Sequence, residues 1–438
     1  MGFASNTGAL DFTSFDNALK TIYSKQAVVD ETYKNRPFHA TIPKDTDFKG
    51  RNFVQDVITS LTQGRSATFN NAQANKSGTQ ISQFSIIRAY DFALASVDMW
   101  TMFASEDDKG ALLDALTTAI NNVRGTLMRS AAVAEFRDGT GSIGIVNTVT
   151  TGTVAAQFTL VTATDILNFE VNQSLNFYST TNFSTGTALR HTTNGNTITA
   201  PSGTTSAGVG IVQKVDRVNG IVYVDNIPTN VVATDVVVAD GDYGQNTVAS
   251  VTAFSKLSGL AAWLPSTAPG STDSFMGLNR SLDNVRLAGW ISSQIGKSED
   301  EAILNASYEL YTYGGGSATH CFVSPNRFNN IAKLLGPQRR YVDVKATTGM
   351  IGFQALEVQG QGSMIKVLAD PNCPDNRGYL LTLDEWKLKT MGGMPRVLNP
   401  NSKTLLQATA NQLEVRVGYA GQVVNKAPGH SAVILFAT

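Results

Sequence analysis

The stretch that decides the fold begins Asn52-Phe53-Val54-Gln55-Asp56-Val57-Ile58-Thr59-Ser60-Leu61, passes through a polar interval, and resumes from Ile81 to Phe92. The first run is rich in β-branched residues. The second sets Phe84, Ile86, Tyr90 and Phe92 at even spacing, so both read as strands. Between them, Thr62 to Gln80 holds Gly64, Asn70, Asn71, Asn75 and Gly78, residues of turns. The pattern predicts a long finger-like hairpin over 46–97. A lone two-stranded hairpin is marginal in water, so the finger must rest on its own domain or on a neighbouring subunit.

Outward from the finger, residues 1–45 form a polar leader. A short helical pattern runs through Phe15, Leu19, Ile22 and Tyr23, and Pro37 and Pro43 limit its continuation. Such a segment has no core of its own. On the other side, 105–138 carry the clearest helix signal. Ser105 and Asp108 have capping-box spacing, and Leu112, Leu116, Ile120, Val123, Leu127, Ala131 and Ala134 keep one apolar face, with Gly139 placed to end it. At ~1.5 Å per residue that is a rod of roughly 50 Å, a spine for other elements.

Composition then changes. From 139 to 210 the charged side chains are Asp165, Glu170 and Arg190, against eighteen threonines, which favours short strands over helix. Asn219-Gly220 between two alternating runs is a strong hairpin signal. Residues 150–247 thus read as an inserted β domain, a barrel or a sandwich. Beyond 255, helix and strand signals mix. Ser298 and Glu301 suggest a capping box for a helix ending at Gly314-Gly315-Gly316, Cys321-Phe322-Val323 reads as a strand, and Ser324-Pro325 opens a helix through Leu335. Phe353–Val358 and Met364–Leu368 form a hairpin, and strands follow at Gly378–Leu383, Leu413–Val424 and Ser431–Phe436. The fold class is α+β with an all-β insertion.

The 438 residues are 42% hydrophobic and only 16% charged, with a net charge of −1, which argues against a dedicated nucleic-acid binder. Cys321 and Cys373 imply no disulfide framework and read as free buried thiols in a reducing compartment. No basic and apolar leader opens the chain, and no run of ~18 apolar residues spans a membrane. The expectation is a soluble protein made in the cytoplasm.

Motifs of chemistry fail on context. Gly139-Thr140-Gly141-Ser142-Ile143-Gly144 spells a dinucleotide fingerprint, but it follows a helix and opens a strand, the reverse of what a pyrophosphate site needs. Gly296-Lys297-Ser298 lacks the upstream glycine of a phosphate loop, since position 291 is Ile. His39, His191, His320 and His430 are scattered. No nucleophile with a base and no metal-ligand spacing emerges, so no catalytic, cofactor-binding or metal residue is assigned. Two basic groupings remain, Arg65, Lys76 and Arg88 around the finger and Arg339-Arg340 with Lys333 and Lys345. These groupings read either as a solvated face with ordinary ion pairs or as subunit contact, for which Arg65, Phe69, Lys76, Arg88, Arg339 and Arg340 are the candidates, arginine being enriched at interfaces for its planar donor fork.

The order of these segments resembles the Hong-Kong-97-like fold of tailed-phage major capsid proteins. The resemblance assigns 1–45 to the N-terminal arm, 46–97 to the extended loop and 98–149 to the spine helix and the start of the core. Residues 150–247 become the insertion, and 248–438 the rest of the peripheral and axial domains. Ser255 to Leu264, Gly277 to Ser281, His320 to Pro325 and Arg416 to Tyr419 with Pro428 look like recurrent capsid-subunit segments. The resemblance implies a structural subunit, not an enzyme, self-assembling through hexamers and pentamers into an icosahedral shell around double-stranded DNA. Scaffolding, portal and decoration proteins are its expected partners, with non-specific DNA contact and no membrane. The runner-up is an encapsulin-like nanocompartment subunit, which the insertion and the length disfavour.

Overall fold

In the computed structural model the described residues are 9–10, 36–100, 115–151, 156–179, 189–190, 197–198, 210–228, 230–248, 251–335, 341–345, 352–398, 405–406 and 411–437. The chain divides into one unit of residues 1–34, 90–131 and 390–420, and a second of residues 35–89, 132–389 and 421–438.

In the first unit, the strand Ala89–Asp98 lies beside Gln412–Asn425. Ala9–Leu10 runs parallel to it at Ser96 and Val97, and Arg396–Val397 and Leu405–Leu406 pair antiparallel with Gln412–Asn425. The spine helix is Ala115–Ala134 in its described part, about 30 Å long. The expected start at Ser105 lies outside the described residues.

The helix ends four residues before the predicted Asp138. Phe136 N donates to Val133 O at 3.2 Å and Arg137 N to Ala134 O at 3.1 Å, a tightened last turn. The exposed carbonyls are taken by a distant segment, Leu260 N donating to Glu135 O at 2.7 Å and Gly259 N to Arg137 O at 3.0 Å. A side chain at Gly259 would lie 2.2 Å from Glu135 O, so only glycine allows this approach. The chain leaves at Arg137 and returns at Gly259 one hydrogen bond away.

The excursion between those points is an antiparallel β ring. Its pairing order is Ser174–Tyr178, Gly210–Asp216, Ile221–Val224, Gln157–Leu160, Ser142–Thr150 and Val236–Ala239, and the last pairs back to the first. Closure leaves no free edge in the ring. Phe158, Phe169 and Phe177 fill its interior, with Phe158 5.7 Å and 5.5 Å from the other two rings. The Asn219-Gly220 hairpin forms with a four-residue loop after Asp216, whose carboxylate accepts from Val218 N and Asn219 N. Ser142–Thr150, ahead of the predicted insertion, is part of the ring. At its root Lys256 Nζ meets Asp242 Oδ2 at 3.0 Å.

A seven-stranded sheet forms the other core of the second unit. Its order is Trp290–Ser293, Ala432–Leu435, Arg377–Leu381, His320–Val323, Met364–Ala369, Gly352–Gln359 and Tyr341–Lys345. Helices Glu299–Glu309 and Pro325–Leu335 supply Ala302, Ile303, Ala306 and Ile331 to its core. Ser324 caps the second helix through its Oγ, which accepts from Arg327 N at 3.2 Å. The Ser298–Glu301 capping box does not form, because Glu301 is engaged by Lys297 at 2.9 Å and the Ser298 side chain makes no cap bond.

Candidate assembly surfaces

The finger is a hairpin of Phe53–Ser60 with Gln80–Ile86. Its register pairs Val54 with Ser85, Asp56 with Gln83 and Ile58 with Ile81. Val54, Asp56 and Ile58 share one face of their strand by the alternation of side chains, and all three are exposed. The cross-strand pair Ile58 and Ile81 is 49% and 62% exposed.

Its base is anchored. Phe84 is fully buried, 5.3 Å from Trp263 and 6.2 Å from Phe275, and those two rings are 5.0 Å apart. Trp263 Nε1 donates to Val423 O at 3.0 Å. The turn Phe275–Leu278 carries Met276 at φ 50° and Gly277 at φ 82°. That tight conformation offers Met276 O to Ser85 N at 2.8 Å.

The expected strand Ile81 to Phe92 is broken after Ile86, and a new strand starts at Ala89. Ile87 is buried and its carbonyl accepts from Gln422 Nε2 at 3.3 Å. Even spacing therefore does not keep one fate. Phe84 and Ile86 are buried, whereas Tyr90 and Phe92 are 41% and 58% exposed.

At the tip, Thr62 and Thr79 hydroxyls meet at 2.8 Å, and Ser77 N donates to Gln63 O at 2.7 Å. The helix Phe69–Ala74 has no buried residue, and Phe69 is 80% exposed. Arg65 and Lys76 share this exposed tip, and no acidic residue lies between Val57 and Ile87. Arg88 stands apart at the base, half-buried, its guanidinium 5.6 Å above the Phe48 ring. Arg339 and Arg340 lie outside the described residues.

The first unit presents a feature that the sequence reading missed. Ile120 and Arg124 of the spine helix, with Pro395, Val397, Val415 and Val417, line an apolar recess of about 200 Å³. Ile120 and Arg124 sit one helical turn apart on the same face. Arg124 is exposed and makes no ion pair among the described residues. Nearby positions of Gln412–Asn425 are neutralised locally, with Glu414 accepting from Arg416.

A third feature ties down the segment that follows the arm. Phe38 inserts between Phe136 and Phe322 at 5.3 Å and 5.1 Å, and its N–H donates to Asp370 Oδ2 at 3.0 Å. His39 Nδ1 meets Glu135 Oε1 at 2.6 Å, while Glu135 Oε2 has no partner among the described residues. Burial pushes the Asp370 carboxyl up to about 6, against hydrogen bonds from Phe38 and Asn372, with Glu135 adding to the rise. The raised value means that the folded state holds the proton more tightly, so the contribution is complete below about pH 4 and is lost as pH climbs through 6. A loss of about 3 kcal/mol between those limits is expected. Asp370→Asn should flatten that part of a pH series of urea denaturation, and an unchanged slope would refute the assignment.

Thiol and imidazole chemistry finds little support in the same core. Burial pushes Cys321 up to about 12 and His320 down to about 4, the latter helped by Lys366. Among the described residues no three His, Cys, Asp or Glu groups are placed to hold a metal ion, and no helix is long and apolar enough to cross a membrane.

Residues 242–423 match the family model of the SU10 major capsid protein. The capsid asymmetric unit of cyanophage A-1(L) superposes with a TM-score of 0.51 at 12% identity, covering 94% of this chain and 96% of that one. Over residues 242–423 the chain is similar to the SU10 major capsid protein, and over nearly all of its length it shares the fold of a phage capsid subunit. Two further structures are similar at lower scores. The capsid of a native GTA particle gives 0.45 at 10% identity, covering 94% and 95%, and an encapsulin complex from Synechococcus elongatus gives 0.43 at 6%, covering 97% and 95%. No curated protein matches. The chain has the Hong-Kong-97-like fold of phage capsid subunits.

Proposed function

We propose that the subunit closes an icosahedral shell of hexamers and pentamers around double-stranded DNA, with the finger of each copy resting on a neighbour. The observation that carries this is the finger itself. Its base is buried in an aromatic socket, while Ile58, Leu61, Phe69 and Ile81 beyond it are exposed. Apolar surface left on a monomer gains ~25 cal/mol per Å² when a neighbour covers it, before the cost of ordering. Many weak contacts, repeated by closure, then add to a stable particle. The near-neutral chain fits loose, non-specific contact with packaged DNA. Assembly takes place in the host cytoplasm, with scaffolding, portal and decoration proteins as further partners and no catalytic role. The encapsulin-like alternative shares the shell geometry, and the SU10 match favours the phage reading.

The test is to replace 62–79 by an Asn-Gly turn. Thr62 and Thr79 are in contact, and the tip helix has no buried residue, so the monomer should keep its folding transition. Electron microscopy should then find no shells. Normal particles from this variant would end the finger's proposed role.

A further inference from the structure

We infer that the inserted ring props the finger of its own chain, the hairpin of Gln245–Val248 with Val251–Phe254 acting as a strut between the ring and the turn at 275–278. The inference concerns one chain, so it stands or falls independently of where the finger docks.

At the ring end the strut is held by aromatic contacts. Tyr178, Val236 and Val238 are buried together on the outside of the ring, opposite the interior Val237, and Tyr243 packs on them. Tyr243 lies 4.7 Å from the Tyr178 ring and 6.5 Å from Phe254, and Ser255 N donates to Gly244 O at 2.9 Å to close the hairpin's base. The register pairs Gln245 with Phe254 at this end and Val248 with Val251 at the other, about 10 Å away.

At that other end Val251 bears on the turn. A side chain at Gly277 would lie 2.9 Å from Val251 Cγ2, so the turn's backbone is seated directly on the valine. Its neighbour Met276, at φ 50°, is in a left-handed conformation that a non-glycine residue keeps only where its surroundings fix it. Two contacts fix it. Phe275 is wedged against Trp263 and Phe84, with the Arg280 guanidinium 4.3 Å above its ring and Arg280 itself paired with Asp273 at 2.9 Å. Val251 holds Gly277. The outcome is the aim of Met276 O, which accepts from Ser85 N at 2.8 Å on the finger edge turned away from Phe53–Ser60. The socket thus grips the finger by the Phe84 side chain, and the propped turn grips it by the Ser85 backbone. A two-stranded hairpin has open edges and little stability alone, so the second grip matters.

Hydrogen exchange on the dispersed full-length chain reads the last link. Val251→Ala removes the bearing surface, and the amides of Gln80–Ile86 should exchange on the order of tenfold faster. The amides of Phe177 and Val237 in the ring should keep the parent's protection. Val251→Thr preserves the branched shape and should match the parent throughout. Tyr243→Ala cuts the strut from the ring and should speed the same finger amides from the far end of the hairpin. In the double variant the two effects should not add, because either break opens a path whose links are in series. Finger amides that keep the parent's exchange in either single alanine variant would overturn the inference. So would additive effects, or a Val251→Ala chain that loses ring protection as fast as finger protection. If Tyr243→Ala unfolds the ring, seen as lost protection at Phe177, the comparison of Val251→Ala with Val251→Thr decides alone.

Discussion

Trp263→Ala is expected to cost the folded subunit about 3–5 kcal/mol, measured as a lower urea midpoint for the dispersed chain. Trp263 is fully buried, and its ring meets both Phe84 of the finger and Phe275 of the strained turn. Truncation removes that area, leaves a cavity, and orphans Val423 O, which the indole N–H now satisfies. The two contributions separate with Trp263→Phe. That change keeps most of the apolar contact but still strands the carbonyl, and should cost about 1–3 kcal/mol. A Trp263→Ala loss under 1 kcal/mol would mean that the socket does not hold the finger's base.

Asp165→Ala should be as severe. Arg137, the last residue before the chain departs into the ring, places Nη2 2.5 Å from Asp165 Oδ1, and both side chains are largely buried. Removing the acid leaves a guanidinium desolvated and uncompensated, a change of about 3–5 kcal/mol. Replacing both partners with apolar residues, Arg137→Met and Asp165→Leu, should recover most of that loss, because the pair's own desolvation cost disappears with it. A double variant as unstable as the single one would show that the ion pair itself stabilises the join.

Much of this was legible in the sequence, and the limits have physical causes. The finger strands, the spine and the strands around Cys321 and Gly378 announce themselves by local periodicity and glycine punctuation. What periodicity cannot report is which layer lies against each face. Phe84 and Tyr90 have the same parity, yet Trp263 and Phe275 arrive only beside the first. The spine's end was misplaced at Gly139 because its orphan carbonyls are satisfied by Gly259 and Leu260, a pairing no local signal encodes. The recess was invisible for the same reason. Its walls come from positions near 120, 395 and 415, while Arg124 alone looks like one more polar residue on a helix. Of the candidate contacts, Arg65, Phe69 and Lys76 share the finger tip, and Arg88 is at its base.

The hydrogen bond between Gly259 and Arg137 has a consequence for how such a chain can change over generations. For the remainder of the subunit, the whole ring is equivalent to a short loop, since its entry and exit are adjacent. Sequence can be gained, lost or exchanged between those two points without moving the sheet or the spine. A foreign domain with adjacent termini, spliced in at the same two points, would be carried by the chain without redesigning the rest of it.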